Sequence, residues 1–133
     1  MLLADSSAWI EYLRGTGSQV NVRLREAIRA GEVVVTDPVM LEVMSGARRG
    51  LEDRILRLLS EQDYEPVAPR ADWLDAAAVF RACRRQGLTV RTNVDCLIAA
   101  VAIRRGVPVL HIDRDFDAIA ACTTLQLVRP TGS

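Results

Sequence analysis

Short apolar runs alternate with longer amphipathic stretches along this chain, and the alternation predicts β-strands separated by α-helices. The runs of aliphatic and β-branched residues, which are typical of buried strands, are LLA, VVVT, VPVLHI and TLQLV. Between them, apolar residues recur every three or four positions, as in helices that bury one face. Helices are therefore predicted for AWIEYLRG, for residues 20–30, 38–49, 51–59 and 73–86, and for DCLIAAVAI and DFDAIAA.

Residues suited to helix ends mark the boundaries of these stretches. The predicted helix starts are Ser6-Ser7, Asp37-Pro38, and Thr92 or Asn93. Glycine follows the predicted helix ends at positions 15 or 17, 31, 50, 87 and 106. Strands that alternate with helices imply a parallel sheet with right-handed crossovers and helices on both faces. We therefore predict a three-layer α/β/α fold with a mainly parallel twisted sheet of 4–5 strands flanked by helices.

The length and composition favour a single domain. With 133 residues, of which 50% are hydrophobic, the chain suits one core, and we predict one domain over residues 1–133. Its apolar runs are far shorter than the roughly 20 residues that a membrane-spanning helix needs. Cys83, Cys96 and Cys122 lack paired CxxC spacing, which favours free thiols over disulfides or zinc ligands. We therefore expect a cytoplasmic protein that does not associate with membranes.

The charged residues balance, and every basic residue is an arginine. The formal net charge of zero gives no overall positive field that would attract nucleic acid. Arginine pairs such as Arg84-Arg85 could hold phosphate through two parallel hydrogen bonds, although solvated helix faces explain them equally well. The absence of lysine argues against a response-regulator receiver domain, which requires one.

Four acidic residues lie in stretches that are otherwise suited to burial: Asp5, Glu42, Asp95 and Asp113. A carboxylate removed from water is costly unless a cation or several donors meet it, so these acids indicate one shared charged site. Asp5 and Asp113 each follow a predicted strand, and ligands of open α/β sheets bind beyond the carboxyl ends of the strands. Glu42 and Asp95 lie near the starts of helices that would begin at the same edge, so we expect all four to converge.

Carboxylate ligands without histidine or thiolate partners suit hard cations such as Mg²⁺ or Mn²⁺, which serve phosphate chemistry. Each acid also has a simpler interpretation when it is considered alone, because aspartate is common at helix caps and turns and acids are favoured in first helical turns. His111, the only histidine, lies in an apolar strand and is better explained as a structural residue than as a general base.

Three segments follow in order nearly from end to end of the chain: ADSSAWIEYLR, PVMLEVMSGAR and VRTNVDCLIAAVAIRRGVPVLHIDRDFDAIA. Together they resemble the PIN-domain ribonucleases, and more closely the VapC toxins of bacterial toxin–antitoxin pairs. The resemblance implies a PIN-like fold and an endoribonuclease that needs Mg²⁺ or Mn²⁺ and cuts tRNA, rRNA or mRNA, which inhibits translation and growth. It also implies a homodimer that a VapB-type antitoxin silences in a heterotetramer or larger complex.

The resemblance carries over to individual positions of this sequence. The residues that match the acidic quartet of the family are Asp5, Glu42, Asp95 and Asp113. Asp115 matches an extra acid of some members, and Ser7 matches a hydroxyl that supports the first aspartate. The chain departs from the usual pattern at Ser6, where threonine is common, and at Ile112, where a polar residue is common.

The resemblance and the acids together lead to a mechanistic hypothesis. We expect the acids to hold one or two metal ions and water to attack phosphorus in line, without a side-chain nucleophile. Arg91 and Arg14 are the candidates for contacts with RNA phosphates, and solvated arginines are the alternative. An amphipathic antitoxin segment could bind along Val20, Leu24 and Ile28 or along the leucines of 51–59, and an antitoxin arginine could enter the acidic pocket. The other functions that the residues leave open are a non-catalytic binding module and a nuclease that acts on DNA.

Overall fold

The computed structural model describes residues 1–129, and within them four strands alternate with seven helices. The elements in chain order are β1 (Leu2–Ala4), α1 (Ser6–Leu13), α2 (Gln19–Ala30), β2 (Val33–Val35), α3 (Asp37–Ser45), α4 (Glu52–Ser60), β3 (Asp63–Tyr64), α5 (Ala71–Arg85), α6 (Asn93–Arg105), β4 (Val109–Leu110) and α7 (Arg114–Cys122).

The four strands form one parallel sheet in the order β3-β2-β1-β4. Leu3 of β1 pairs with Val34 of β2 on one side and with Val109 of β4 on the other. Every residue of β1, β2 and β4 is buried. Because successive side chains of a strand point to opposite faces, burial of all of them means that helices cover both faces of the sheet. The predicted α/β/α fold is confirmed.

The ends of the sheet differ from the prediction. The pattern did not indicate β3, because its two residues, Asp63 and Tyr64, are polar or exposed at the sheet edge. The predicted final strand TLQLV is wrong, since this segment makes only a single parallel bridge between Leu127 and Val109. The strand VPVLHI is also shorter than predicted and is limited to Val109–Leu110.

Two helix starts also differ from the prediction. Asp5, and not Ser6-Ser7, caps α1, because its side chain accepts the Ala8 N–H. Thr36 precedes α3, and Asp37 is its first residue. Thr92 caps α6 as predicted, and its hydroxyl accepts the Val94 N–H at 3.1 Å.

Helix α6 runs through the centre of the molecule. Its residues from Asp95 to Ala102 are all buried, as its nearly uniform apolar character predicts. Trp9 and Phe116 are the largest of the fully buried side chains among the described residues. None of the helices in residues 1–129 combines the length and hydropathy that a membrane span requires.

Three free cysteines occur in the described part of the chain, which agrees with the predicted free thiols. The Sγ atoms of Cys83 on α5 and Cys122 on α7 lie 2.6 Å apart. Burial raises the pKa of Cys83 to about 12, and the neighbouring Cys122 contributes to the rise. The Cys83 thiol therefore stays protonated at neutral pH.

Ion pairs connect the C-terminal end of α6 to β3, to the residue that follows it and to the start of α5. Arg104 donates hydrogen bonds to the fully buried Asp72 and to Glu65. Arg105 pairs with Glu65 at 2.8 Å and with Asp63 at 2.6 Å. Burial alone would raise the pKa of Asp72, but the hydrogen bonds from Arg104 and from the Ala68 N–H outweigh it and hold this pKa below its usual range.

Candidate metal centre

Asp5 lies at the carboxyl end of β1 and is almost fully buried. Its Oδ1 atom accepts the Ala8 N–H at 3.0 Å and the Ser7 hydroxyl at 2.7 Å. The Ser7 oxygen in turn accepts the Ile112 N–H at 3.1 Å, which ties the start of α1 to the segment after β4. The supporting hydroxyl expected at position 7 thus contacts the first aspartate.

Asp95 lies in the first turn of α6 and is also buried. Within residues 1–129, its Oδ2 atom has no hydrogen-bond partner. A buried carboxylate oxygen without a donor is costly, and it is an atom that a cation would satisfy.

Asp95, Asp113 and Asp115 lie close together within residues 1–129 and are called the acidic cluster below. One carboxylate oxygen from each of the three lies within 4.8 Å of the others. Asp113 caps α7, and its Oδ1 atom accepts the Asp115 N–H at 2.9 Å. Three carboxylates this close, with no thiolate or imidazole in the group, fit a hard divalent cation such as Mg²⁺ or Mn²⁺.

Crowding and burial change the protonation of this site. The pKa of Asp95 is raised to about 8. Burial is the largest cause, and the neighbouring carboxylates of Asp115, Asp113 and Asp5 account for the rest. Burial likewise raises the pKa of Asp5 to about 6, although the hydrogen bonds from Ser7 and the Ala8 N–H oppose the rise. Burial is thus the main cause of both shifts, and for Asp95 the neighbouring carboxylates are a substantial second cause.

Arg91 is the cation that the structure brings to the acidic cluster. Its Nη2 atom lies 2.6 Å from Asp113 Oδ1 and its Nε atom lies 3.3 Å from Asp115 Oδ1. Its backbone N–H also donates to Asp115 Oδ2 at 3.1 Å. The sequence indicated Arg91 only as a candidate phosphate contact, because nothing in a sequence pattern reveals which acid a loop arginine will pair with.

Glu42 and Asp5 are not among the three members of the acidic cluster. Glu42 is half-buried on α3, and its Oε1 atom accepts the Ser6 hydroxyl at 2.9 Å. Ser6, at the position where the family commonly has threonine, therefore supplies a hydroxyl to Glu42. The sequence did not indicate this contact, which joins residues 36 positions apart.

Arg14 and His111 are not members of the acidic cluster. Arg14 follows the last residue of α1, the end of this helix opposite Asp5. His111 packs against Phe116, with ring centroids 5.4 Å apart, and its Nε2 atom lies 3.6 Å from Asp117. This environment fits the structural role expected for the histidine.

An apolar groove lies between α1, α3 and α4 and has a volume of about 840 Å³. Leu51, Ile55 and Leu58 line one side of it, and arginines at 14, 48 and 54 also line it. Val20 and Leu24, which the sequence suggested as part of a partner surface, are instead buried in the core. The stripe on α2 therefore packs within the molecule, and the leucine-rich α4 provides the accessible apolar surface.

This chain is similar to known proteins both in sequence and in fold. The PIN domain model matches residues 2–121. The ribonuclease VapC11 of Mycobacterium tuberculosis is 42% identical over 132 residues, which cover 95% of this chain and 96% of that protein. Among solved structures, FitAcB from Neisseria gonorrhoeae superposes with a TM-score of 0.74 at 20% identity, covering 100% of both chains. A toxin–antitoxin complex from Klebsiella pneumoniae contains a chain with a TM-score of 0.71 at 18% identity, covering 96% of this chain and 100% of that one.

Proposed function

Because the chain belongs to the PIN-domain family and is 42% identical to a VapC ribonuclease, we propose that it is a metal-dependent endoribonuclease and the toxin of a toxin–antitoxin pair. The observation that supports the proposed site most directly is the acidic cluster of Asp95, Asp113 and Asp115, whose oxygens lie within 4.8 Å of one another. In this proposal, hydrolysis of RNA phosphodiester bonds inhibits translation and growth.

Asp95, Asp113 and Asp115 are the residues that would hold a divalent ion, with Mg²⁺ or Mn²⁺ as the cation of choice. The unpartnered Asp95 Oδ2 supports this assignment, because it is a buried acceptor that no donor of the described residues satisfies. When bound, such an ion polarises a phosphoryl oxygen and lowers the pKa of nearby water. Asp5 and Glu42 are the other proposed metal ligands, and they would hold a second ion or contact the first one through water.

Asp5 is held for this role by its own hydrogen bonds. The Ser7 hydroxyl and the Ala8 N–H both bind Oδ1, which leaves Oδ2 for another partner. Burial raises the pKa of Asp5 to about 6, so that near neutral pH this carboxylate can accept a proton more readily than an exposed aspartate. Glu42, fixed by Ser6, presents a further carboxylate at the same edge of the sheet.

Arg91 is the proposed phosphate contact nearest to the acids, since its guanidinium already lies against Asp113 and Asp115. Arg14 is a weaker candidate for RNA. Helix α1 separates it from Asp5, and it lines the apolar groove between α1, α3 and α4.

That groove is the proposed binding site of the antitoxin. Its apolar walls suit the apolar face of an amphipathic segment, and its arginines at 14, 48 and 54 suit a segment that also carries acidic residues. A VapB-type antitoxin bound there would neutralise the toxin, and an arginine of the antitoxin could reach the acidic cluster. We extend the proposal to a homodimer of the toxin within a heterotetramer or larger complex.

The test is cleavage of RNA by the purified chain with Mn²⁺, with EDTA as the metal-free comparison. Asp95→Asn should lower the rate by more than about 100-fold, beyond the 10- to 100-fold loss typical of residues that only support a ligand. Asp75→Asn, at an exposed acid on α5, is the matched control and should leave the rate unchanged.

Parallel reactions separate the alternatives. Cleavage of single-stranded DNA but not RNA would replace the proposal with a DNA nuclease. Retained RNA binding without cleavage in Mn²⁺ would indicate a binding module. Sequencing of RNA ends after induced expression then identifies the RNA and the position of the cut.

A further inference from the structure

The guanidinium of Arg91 contacts carboxylate oxygen atoms that a metal ion in the acidic cluster would also need. It contacts Oδ1 of both Asp113 and Asp115, at 2.6 and 3.3 Å. The third member of the acidic cluster, Asp95, receives no such cation, and its Oδ2 has no partner among residues 1–129. Arg91 therefore neutralises the accessible side of the cluster and leaves the buried side unsatisfied.

The exposure of Arg91 makes this contact easy to reverse. Its side chain is 67% exposed, whereas those of Asp113 and Asp115 are 23% and 5% exposed. An exposed arginine that leaves a carboxylate regains full hydration and conformational freedom, so such a pair is weak by itself. A divalent ion carries twice the charge in a smaller volume and would satisfy all three carboxylates.

We propose that Arg91 is a resident counter-ion of the acidic cluster, which a divalent metal ion must displace from Asp113 and Asp115. This inference rests on the proposed metal centre. Displacement frees the guanidinium at the edge of the site, where the phosphate of a bound RNA would lie. Arg91 is then a positioning residue with two successive anionic partners, the carboxylates before metal binding and the phosphate afterwards.

The backbone of Arg91 provides a way to test the side chain alone. Its N–H bond to Asp115 Oδ2 does not depend on the side chain and so survives substitution. Arg91→Ala should therefore remove the competing cation while keeping the loop attached to α7. Arg91→Gln is the second variant, because it retains side-chain bulk without the charge.

The matched control is Arg114→Ala. Arg114 is exposed, lies between Asp113 and Asp115 in sequence, and makes no ion pair among the residues that the structure describes. Its removal takes one positive charge from the same neighbourhood without freeing a carboxylate oxygen. It therefore measures the general electrostatic effect, which solvent screening keeps to about twofold in metal affinity.

The experiment is titration of the metal-free proteins with Mn²⁺ alone, followed by calorimetry or by the electron paramagnetic resonance signal of free Mn²⁺. Arg91→Ala and Arg91→Gln should bind Mn²⁺ up to about fivefold more tightly than the wild type, as expected for the loss of a competing exposed ion pair. Arg91→Lys keeps the charge but not the paired contacts, so its affinity for Mn²⁺ should lie between those of the wild type and the two neutral variants.

Two results would overturn parts of this scheme separately. If the wild type binds Mn²⁺ and both neutral variants bind it equally or more weakly, Arg91 supports the ligands and does not compete with the metal. If neither the wild type nor the variants bind Mn²⁺, the metal centre itself is absent and the proposed function fails with it.

Discussion

The backbone N–H of Ile112 donates a hydrogen bond of 3.1 Å to the Ser7 hydroxyl, which itself donates to Asp5 Oδ1 at 2.7 Å. Ser7 and Ile112 are 105 residues apart in sequence. One hydroxyl thus uses both its donor and its acceptor capacity to connect the end of β1 with the segment that leads to Asp113. The orientation of Asp5 depends on this connection as well as on its own helix.

Replacement of Ser7 by alanine should make Asp5 harder to ionise. The Ser7 hydrogen bond lowers the pKa of Asp5, which burial raises to about 6, so its loss should raise this pKa further. The acid limb of the pH–rate profile for RNA cleavage should shift to higher pH, and the two lost hydrogen bonds should cost about 1–2 kcal/mol of stability. Ser6→Ala, which removes the contact with Glu42 instead, is the control. An unchanged profile in Ser7→Ala would show that Asp5 does not set the acid limb.

The stability of the metal-free protein should depend on pH through Asp5 and Asp95. Their pKa values are raised from 3.8 to about 6 and about 8, so the folded state binds protons more tightly than the unfolded state. The resulting stabilisation is complete below the unfolded pKa and is lost as the pH rises through the two folded values.

Thermal unfolding in EDTA tests this dependence. The difference in melting temperature between Asp95→Asn and the wild type should increase in favour of the variant as the pH rises toward 8, because asparagine cannot ionise. Saturating Mn²⁺ should remove the wild-type loss at high pH. A difference that stays constant across this range would mean that Asp95 titrates normally.

The ion pairs at the end of α6 should differ greatly in their contribution to stability. Arg104→Ala leaves the fully buried Asp72 without its cation, which should cost about 3–5 kcal/mol. Arg105→Ala removes contacts with Asp63, which is 47% exposed, and with Glu65, which keeps Arg104 as its partner, and should cost at most about 1 kcal/mol. Urea unfolding measures both, and equal losses would show that the burial of Asp72 is not what makes the pair important.

The apolar groove should control antitoxin binding without affecting cleavage. Leu13 on α1 lines the groove and is 40% exposed, so Leu13→Asp places a charge where an apolar side chain would bind. Affinity for the antitoxin that co-purifies with the wild-type chain should fall by roughly 30-fold or more, as for a central interface residue. Leu74→Asp is the control, because Leu74 is 62% exposed on α5 and does not line the groove. Equal affinities of the two variants would place the antitoxin elsewhere.

The sequence predicted the parts of the fold that depend on local patterns. The uniformly apolar runs at Leu2–Ala4 and Val33–Val35 are buried parallel strands, and Thr92 caps α6 as its residue type suggests. The pattern failed at the edge of the sheet. At Asp63–Tyr64 the parallel pairing is made by the backbone, and the exposed side chains carry no apolar signal.

The site was predictable to the extent that it follows from topology. Topology predicted that Asp5, Glu42, Asp95 and Asp113 converge at one edge of the sheet. Asp95 and Asp113 lie together with Asp115, which only the family resemblance indicated, whereas Asp5 and Glu42 are outside this cluster. The contact of Ser6 with Glu42 and that of Arg91 with Asp113 were not predictable. Each joins residues far apart in sequence and depends on the distance between elements after packing, which no local pattern encodes.

Asp5 and Asp113 each accept a backbone N–H at the start of a helix, and both are also proposed ligands of the cation. Asparagine can keep such a helix start closed, whereas alanine cannot. One side chain therefore both closes the start of a helix and contributes to the proposed site, and only an isosteric amide separates these two roles. An inactive variant of this kind would keep its groove intact and would still bind the antitoxin. Produced in the same cell, it would compete for the antitoxin and release active copies from inhibition.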